Sequence, residues 1–303
     1  MRLSLDCIPC FFRQALEGSR LIGASSKRKK QILDEFASLI PSIPLSATPP
    51  EIARLGYGIL RRASRGDPYK RIKIRSNRFA LSLLGRLRKK VFSSRDRLLT
   101  ALKLAIAGNI IDFGVKNNLD IRNELKKILS RESRAEQRRA SVFHYAEFKR
   151  SLDSSGKILY LADNAGETLF DRILLEEIKR IYPGKEVLYA VKERPVINDA
   201  LVEDAQVCGV GKFAKIISNG SDAPGTVLSL CSRDFKKAYK NADMIISKGQ
   251  GNFESLSGQR RPIFFLFMVK CPVVAGESGC RMGDIVLLYS PGKGRKGSRA
   301  ENR

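Results

Sequence analysis

The 303 residues are 43% hydrophobic and 29% charged, which excludes a wholly disordered chain and leaves room for one large domain or two smaller ones. No apolar run approaches the roughly 20 residues needed to cross a bilayer, and the first residues lack a secretory apolar stretch, so the expectation is a cytoplasmic protein with no membrane partner. The net charge of +25 is unevenly placed: residues 1–150 hold 33 basic against 13 acidic side chains, residues 151–303 hold 23 against 18, and 151–290 is nearly neutral.

In chain order, the first half reads as helical. Segments 51–64, 95–114 and 121–150 have helical spacing and good helix formers, with breaks at 41–50, 65–69 and 153–157. The expected organisation is a strongly basic helical domain over 1–152, an α/β domain over 153–290 and a basic disordered tail over 291–303. From Lys157 the texture alternates. Strands are expected at 157–162, 186–192, 215–218, 243–247, 262–268 and 284–289, with helices between most of them, including 167–181, 200–208 and 233–241. Strand-helix-strand repetition gives a parallel sheet covered on both faces, whose ligands bind beyond the carboxyl ends of its strands.

That rule sorts the polar residues. Asp163 and Asn164 leave the first strand, with Glu167 close behind; Lys192, Arg194, Asn198 and Asp199 follow the second. Asn219, Ser221 and Asp222 follow the third, and Lys248 and Asn252 the fourth. An Asp or Asn at one tip is commonly just a helix cap, and Asn219 and Asp222 are equally suited to shaping a turn. Four polar tips at one sheet edge form a site.

Other residues narrow the chemistry. The single histidine, His144, excludes the usual imidazole-based zinc hydrolase site and reads as a surface or helix-packing residue. A metal would have to sit on carboxylates, amides and water, which favours magnesium or manganese over zinc. Six scattered cysteines do not make a disulfide scaffold; the one close pair, Cys7 and Cys10, precedes a helix and reads as structural or weakly redox-sensitive. Cys7 and Arg13 match a thiol-phosphatase spacing, but the intervening "IPCFF" is too bulky to wrap a phosphate. The position two residues after Asp163 is Ala165, where a haloacid-dehalogenase-type phosphatase needs a second Asp. Asn109 and Asp112 in "GNIIDFG" are candidates to approach the cleft from the helical half.

The motifs "LYLADNAGETLFDR", "VKERPVINDALVEDA", "IISNGSDAPGT", "ADMIISKGQGNFESLS" and "MVKCPVVA" together resemble the metal-dependent damage-control phosphatases, long catalogued as a domain of unknown function. "DCIPCFFRQAL", "DPYKRIKIRSN" and "AGNIIDFG" resemble their stand-alone prokaryotic branch, with its early Cys pair. The resemblance implies a mostly parallel, Rossmann-like α/β domain flanked by helices and preceded by an all-helical domain. Carried across by motif, it implies metal ligands at Asp163, Asn164 and Asp199, and phosphate-binding residues at Glu167, Lys248, Asn252 and Asn198, with Asp163, Glu167 and Lys248 in the chemistry. The cofactor implied is a divalent ion (manganese or magnesium, with nickel or cobalt as further candidates). Departures at "KERP" and at Ala200–Leu201 bear on which substrate is accepted.

Hydrolysis of a phosphate monoester calls for charge neutralisation and in-line alignment, which such a site can supply. Direct attack by water and a phospho-Asp163 intermediate both remain open, as does oligomeric state. The partner expected is a small phosphorylated metabolite. The competing reading is a nucleic-acid-binding protein on a non-catalytic scaffold, motivated by the basic first half and opposed by the lack of interleaved aromatics or a recognised nucleic-acid module.

Overall fold

A computed structural model describes residues 1–64, 66–108 and 142–292. The helices start where side chains can close their free N–H groups. Thr48 and Glu51 form a capping box ahead of α3, and Asp96 accepts from the Leu99 amide at the head of α5. The helical half comprises α1 (Ile8–Leu21), α2 (Ser26–Leu39), α3 (Pro49–Ala63), α4 (Lys70–Phe92), α5 (Arg97–Ala107) and α6 (Tyr145–Ser154). Asn109 and Asp112, most of the 121–150 helix and the tail from residue 293 lie outside the described residues.

The sheet strands are β1 (Lys157–Leu161), β2 (Glu186–Val191), β3 (Lys215–Ser218), β4 (Met244–Lys248), β5 (Ile263–Met268) and β6 (Ile285–Ser290). Between them run α7 (Glu167–Ile181), α8 (Val202–Val207), α9 (Arg233–Asn241), α10 (Gln250–Leu256) and α11 (Pro272–Ser278). The strand order is β3-β2-β1-β4-β5-β6, parallel except for the antiparallel β6. The chain winds outward from β1 through β2 to β3, then returns to β1's other side with β4. The order therefore reverses between β1 and β4, the place where open α/β sheets open a crevice at their strand tips.

Among the described residues, buried apolar side chains form three cores. One face of the sheet packs against α4, α5, α6 and α7 through residues including Leu83, Leu102, Phe148, Tyr160 and Phe170. The other face packs against α9, α10 and α11 through Leu161, Phe235, Phe253 and Phe265. Helices α1–α3 have a core of their own, built on Phe11, Ile32, Phe36 and Leu60, and Val196 from the α/β half is buried in it.

Two expectations are corrected. The helix expected through 150 does not include 142–144: Phe143 bridges Leu287 in extended conformation, Leu287 N–H donates to Val142 O, and His144 N–H donates to Leu287 O. This segment covers the edge of β6, whose backbone groups would otherwise be open. His144 is thus an edge brace, its Nδ1 accepting from the Tyr289 N–H at 2.8 Å. The Cys pair does not precede its helix either: Cys7 is the N-cap of α1, and Cys10 lies in its first turn.

Candidate active site at the β1–β4 tips

The apolar run of β1 is buried, and it delivers Asp163 and Asn164 to the strand-order reversal. Two backbone bonds pin this exit to the loop after β2: Ala165 N–H donates to Asn198 O (2.9 Å), and Ala200 N–H donates to Asp163 O (2.8 Å). Asn164 and Asp199 form a bridge between these segments. The sequence-distant trio Asp163, Asn164 and Asp199 is therefore brought together by main-chain pairing.

Within the trio, Asn164 Nδ2 donates to Asp163 Oδ2 at 3.0 Å and to Glu167 Oε1 at 2.9 Å. That leaves the amide oxygen as the atom for a cation. Gly249 closes the site from β4. Its φ is +80°, and a Cβ there would overlap the Asp163 carboxylate, so both conformation and space demand glycine.

Glu167 opens α7, and one turn later Asp171 lies on the same side. Lys248, at the end of β4 and without solvent exposure, donates to Glu167 Oε2 (3.1 Å) and Asp171 Oδ1 (2.7 Å). The hydroxyls of Tyr160 and Tyr189 each donate to Asp171 at 2.7 Å. Sequence reasoning missed Asp171; the available signal was a carboxylate four residues after Glu167 on an otherwise apolar helix face. Asn252, also fully buried, donates to Ala162 O and Lys248 O and accepts from Thr226 Oγ1. It thus braces the tips of β1 and β4. Asn198 contributes its backbone carbonyl, as above. Asn219 Oδ1 accepts from the Ser221 N–H, a turn-shaping role, and Asp222 is paired with Arg54 and Arg61 of α3.

The electrostatics are unbalanced toward negative charge near the strand exit. Burial pushes the Asp163 carboxyl well above its usual range, and the charges of Glu167 and Asp199 push it further, against the pull of Lys270 and Lys248. Burial likewise raises Asp199, to about 6, although Lys192 opposes the shift. Asp199 Oδ2 is buried with no hydrogen bond; the Lys192 ammonium stands 3.5 Å from it. Burial works against the charge on Lys248, but Asp171 and Glu167 outweigh it and lift its pKa above the ordinary lysine range.

Two buried carboxylates and an amide, one carboxylate oxygen lacking a hydrogen bond, fit a hard divalent ion in donor chemistry. Among the described residues no three His, Cys, Asp or Glu side chains converge to hold an ion by themselves. A cavity of about 550 Å³ between α4, α5 and α7, lined in part by Arg88, Phe92, Arg97 and Glu176, includes none of these residues.

The family model of the damage-control phosphatase ARMT1-like domain matches residues 3–286. A damage-control phosphatase of Pyrococcus horikoshii is 34% identical over 292 residues, covering 95% of this chain and 98% of its own length. One of Archaeoglobus fulgidus is 33% identical over 293 residues, covering 94% and 98%. An uncharacterised protein of Methanocaldococcus jannaschii is 33% identical over 297 residues, covering 95% of both chains. The crystal structure of a DUF89 family protein from Pyrococcus horikoshii superposes with a TM-score of 0.86 at 33% identity, covering 95% of this chain and 99% of that one.

Proposed function

Because the chain belongs to the damage-control phosphatase ARMT1-like family, we propose that it hydrolyses phosphate monoesters of small, including damaged, metabolites with a divalent cation held by Asp163, Asn164 and Asp199. The observation that carries this reading is the pair of buried carboxylates, Asp163 and Asp199, held against the Asn164 amide by backbone pairing at the strand-order reversal.

A bound manganese or magnesium ion would supply charge neutralisation for the phosphoryl group and acidify water. The chain's own residues supply the rest. Lys248 is kept cationic by Asp171 and Glu167 and faces Asp163 electrostatically, so it offers positive charge to phosphoryl oxygens. Lys270 is felt at Asp163 in the same sense. Glu167, fixed between Asn164 and Lys248, orients the amide and the ammonium. No imidazole stands at the strand tips, because His144 braces the far end of β6. Proton movement therefore falls to carboxylates or water.

The exposed Arg71, Arg75, Arg78 and Lys89 on α4, a helix without an acidic residue, would draw anionic substrates by long-range attraction. The test is phosphate release from a panel of sugar phosphates and nucleotides with manganese, with magnesium and with chelator. Release by Asp163→Ala at the parent rate would remove the site assignment.

A further inference from the structure

Among the described residues, Ile197 is the one non-glycine residue with positive φ, at 45°. A β-branched side chain is poorly tolerated there, because its Cβ crowds the backbone. Its place in the fold shows what holds it. The Asp199 N–H donates to Val196 O at 3.1 Å, closing a turn over 196–199 with Ile197 at its second position. Glycine or asparagine would suit that position. Instead the chain has an isoleucine, and the side chain packs into the core of α1–α3. Val196 is fully buried in that core, and Ile197 lines a cavity of about 20 Å³ with Phe11, Phe36, Tyr57 and Tyr69.

The other side of the turn meets the active site. Asn198 O accepts from Ala165, Ala200 N–H reaches Asp163 O, and Asp199 faces Asn164. Lys192 stands 3.5 Å from Asp199 Oδ2, while the backbone of the turn sets where the Asp199 side chain starts from.

We infer that Ile197 is a positioning residue: by seating in the α1–α3 core it holds the 196–199 turn left-handed and so aims Asp199 at Asp163 and Asn164. The helical module, more than 130 residues away in sequence, thereby sets the geometry of the metal site. This inference rests on the proposed metal site, but the turn can be tested without metal.

The decisive variant is Ile197→Gly, which relieves the backbone and removes the anchor, so folding is not at risk from strain. Expected are at least tenfold faster amide exchange at Ala165 and Ala200 in metal-free protein, and a half-saturating manganese concentration raised about 10- to 100-fold, the range for lost supporting contacts around a metal. Ile197→Ala, which keeps the strain and loses most of the anchor, should behave likewise, and Ile197→Val should stay near the parent. Ile32→Val, which trims the same core away from the turn, should lower Tm without moving either readout. Parent-like exchange in Ile197→Gly would overturn the inference, as would equal loosening in Ile32→Val. If the parent binds no manganese, the metal reading fails by itself, while amide exchange still decides the role of Ile197.

Discussion

Lys248 Nζ lies 2.7 Å from Asp171 Oδ1 with neither side chain reaching solvent, and Asp171 also accepts hydrogen bonds from the hydroxyls of Tyr160 and Tyr189. The carboxylate thus has three donors and the ammonium two carboxylates, which is how a charged pair survives burial. Asp171→Asn keeps the shape but removes the charge and points amide hydrogens at groups that are themselves donors. It should cost about 3–5 kcal/mol, the range for breaking a buried pair. Urea denaturation measures that loss, and phosphate release should fall with it. An Asp171→Asn protein as stable as the parent would mean that Glu167 alone suffices to hold Lys248.

Asp163 should behave oppositely. Its carboxyl is disfavoured first by burial and then by Glu167 and Asp199, so the metal-free fold bears its charge at a cost. Asp163→Asn should melt no lower than the parent in chelator, and higher at neutral pH. Its phosphate release should drop on the order of 10²- to 10³-fold, as when a charge-stabilising group is removed from an active site. Paired melting and release assays check both halves, and a lower melting temperature in chelator would show that the neighbouring lysines already support the charge.

Much of this was legible in sequence because strand cores and strand tips obey simple rules. "KILYL" and "IFFLFM" are apolar runs of strand length, and Asp163, Asn164, Asp199 and Lys248 all occupy exits of parallel strands. What stayed hidden depends on contacts between distant segments. Asp171 looks like an ordinary helix carboxylate until Lys248 and two tyrosines from neighbouring strands close on it. Residues 142–144 carry a helical pattern locally, but the open edge of β6 recruits them into extended pairing. Asn252 is expected beside the phosphate by motif, and the structure shows its amide nitrogen donating to the Ala162 and Lys248 carbonyls. The helical half similarly looked like one unit, whereas α4 and α5 share the sheet's core and α1–α3 have their own.

The shift of Asp199 fixes a pH dependence. Its folded pKa of about 6 lies above the ordinary 3.8, so between these values the folded protein binds more protons than the unfolded chain. This contribution to stability is fully present below 3.8, is lost as pH rises through 6, and is flat above it. Asp163 is raised in the same direction and adds to the effect. A divalent ion must displace those protons, so manganese should stabilise the protein strongly at pH 7.5 and little at pH 5. Thermal melts with manganese and with chelator across that range measure the difference. A manganese-induced rise in Tm that is the same at pH 5 and pH 7.5 would remove Asp199 from the ligand set.

Asn77 on α4 ties the helical half to the head of α7. Its Oδ1 accepts from the Gly166 N–H at 2.7 Å, and its Nδ2 donates to Asp204 Oδ1 at 2.6 Å. Asp204 Oδ2 in turn accepts from the Leu201 N–H, so the side chain joins α4, the β1 exit and the start of α8. Gly166 has φ +82°, a conformation that side chains rarely adopt, and a Cβ there would press on Ser76 of α4 at 3.0 Å. Asn77→Ala leaves a buried N–H and a buried carboxylate oxygen each short of a partner, at about 1–3 kcal/mol per group. The Gly166 amide should exchange faster, and phosphate release should fall because Asn164 and Glu167 flank that peptide. Asn77→Asp retains an acceptor for Gly166 but sets a second carboxylate against Asp204, so it should be no better than alanine at neutral pH and should recover in acid. If Asn77→Asp matches the parent at neutral pH, the Asp204 contact is dispensable and the Gly166 bond alone holds the two halves in register.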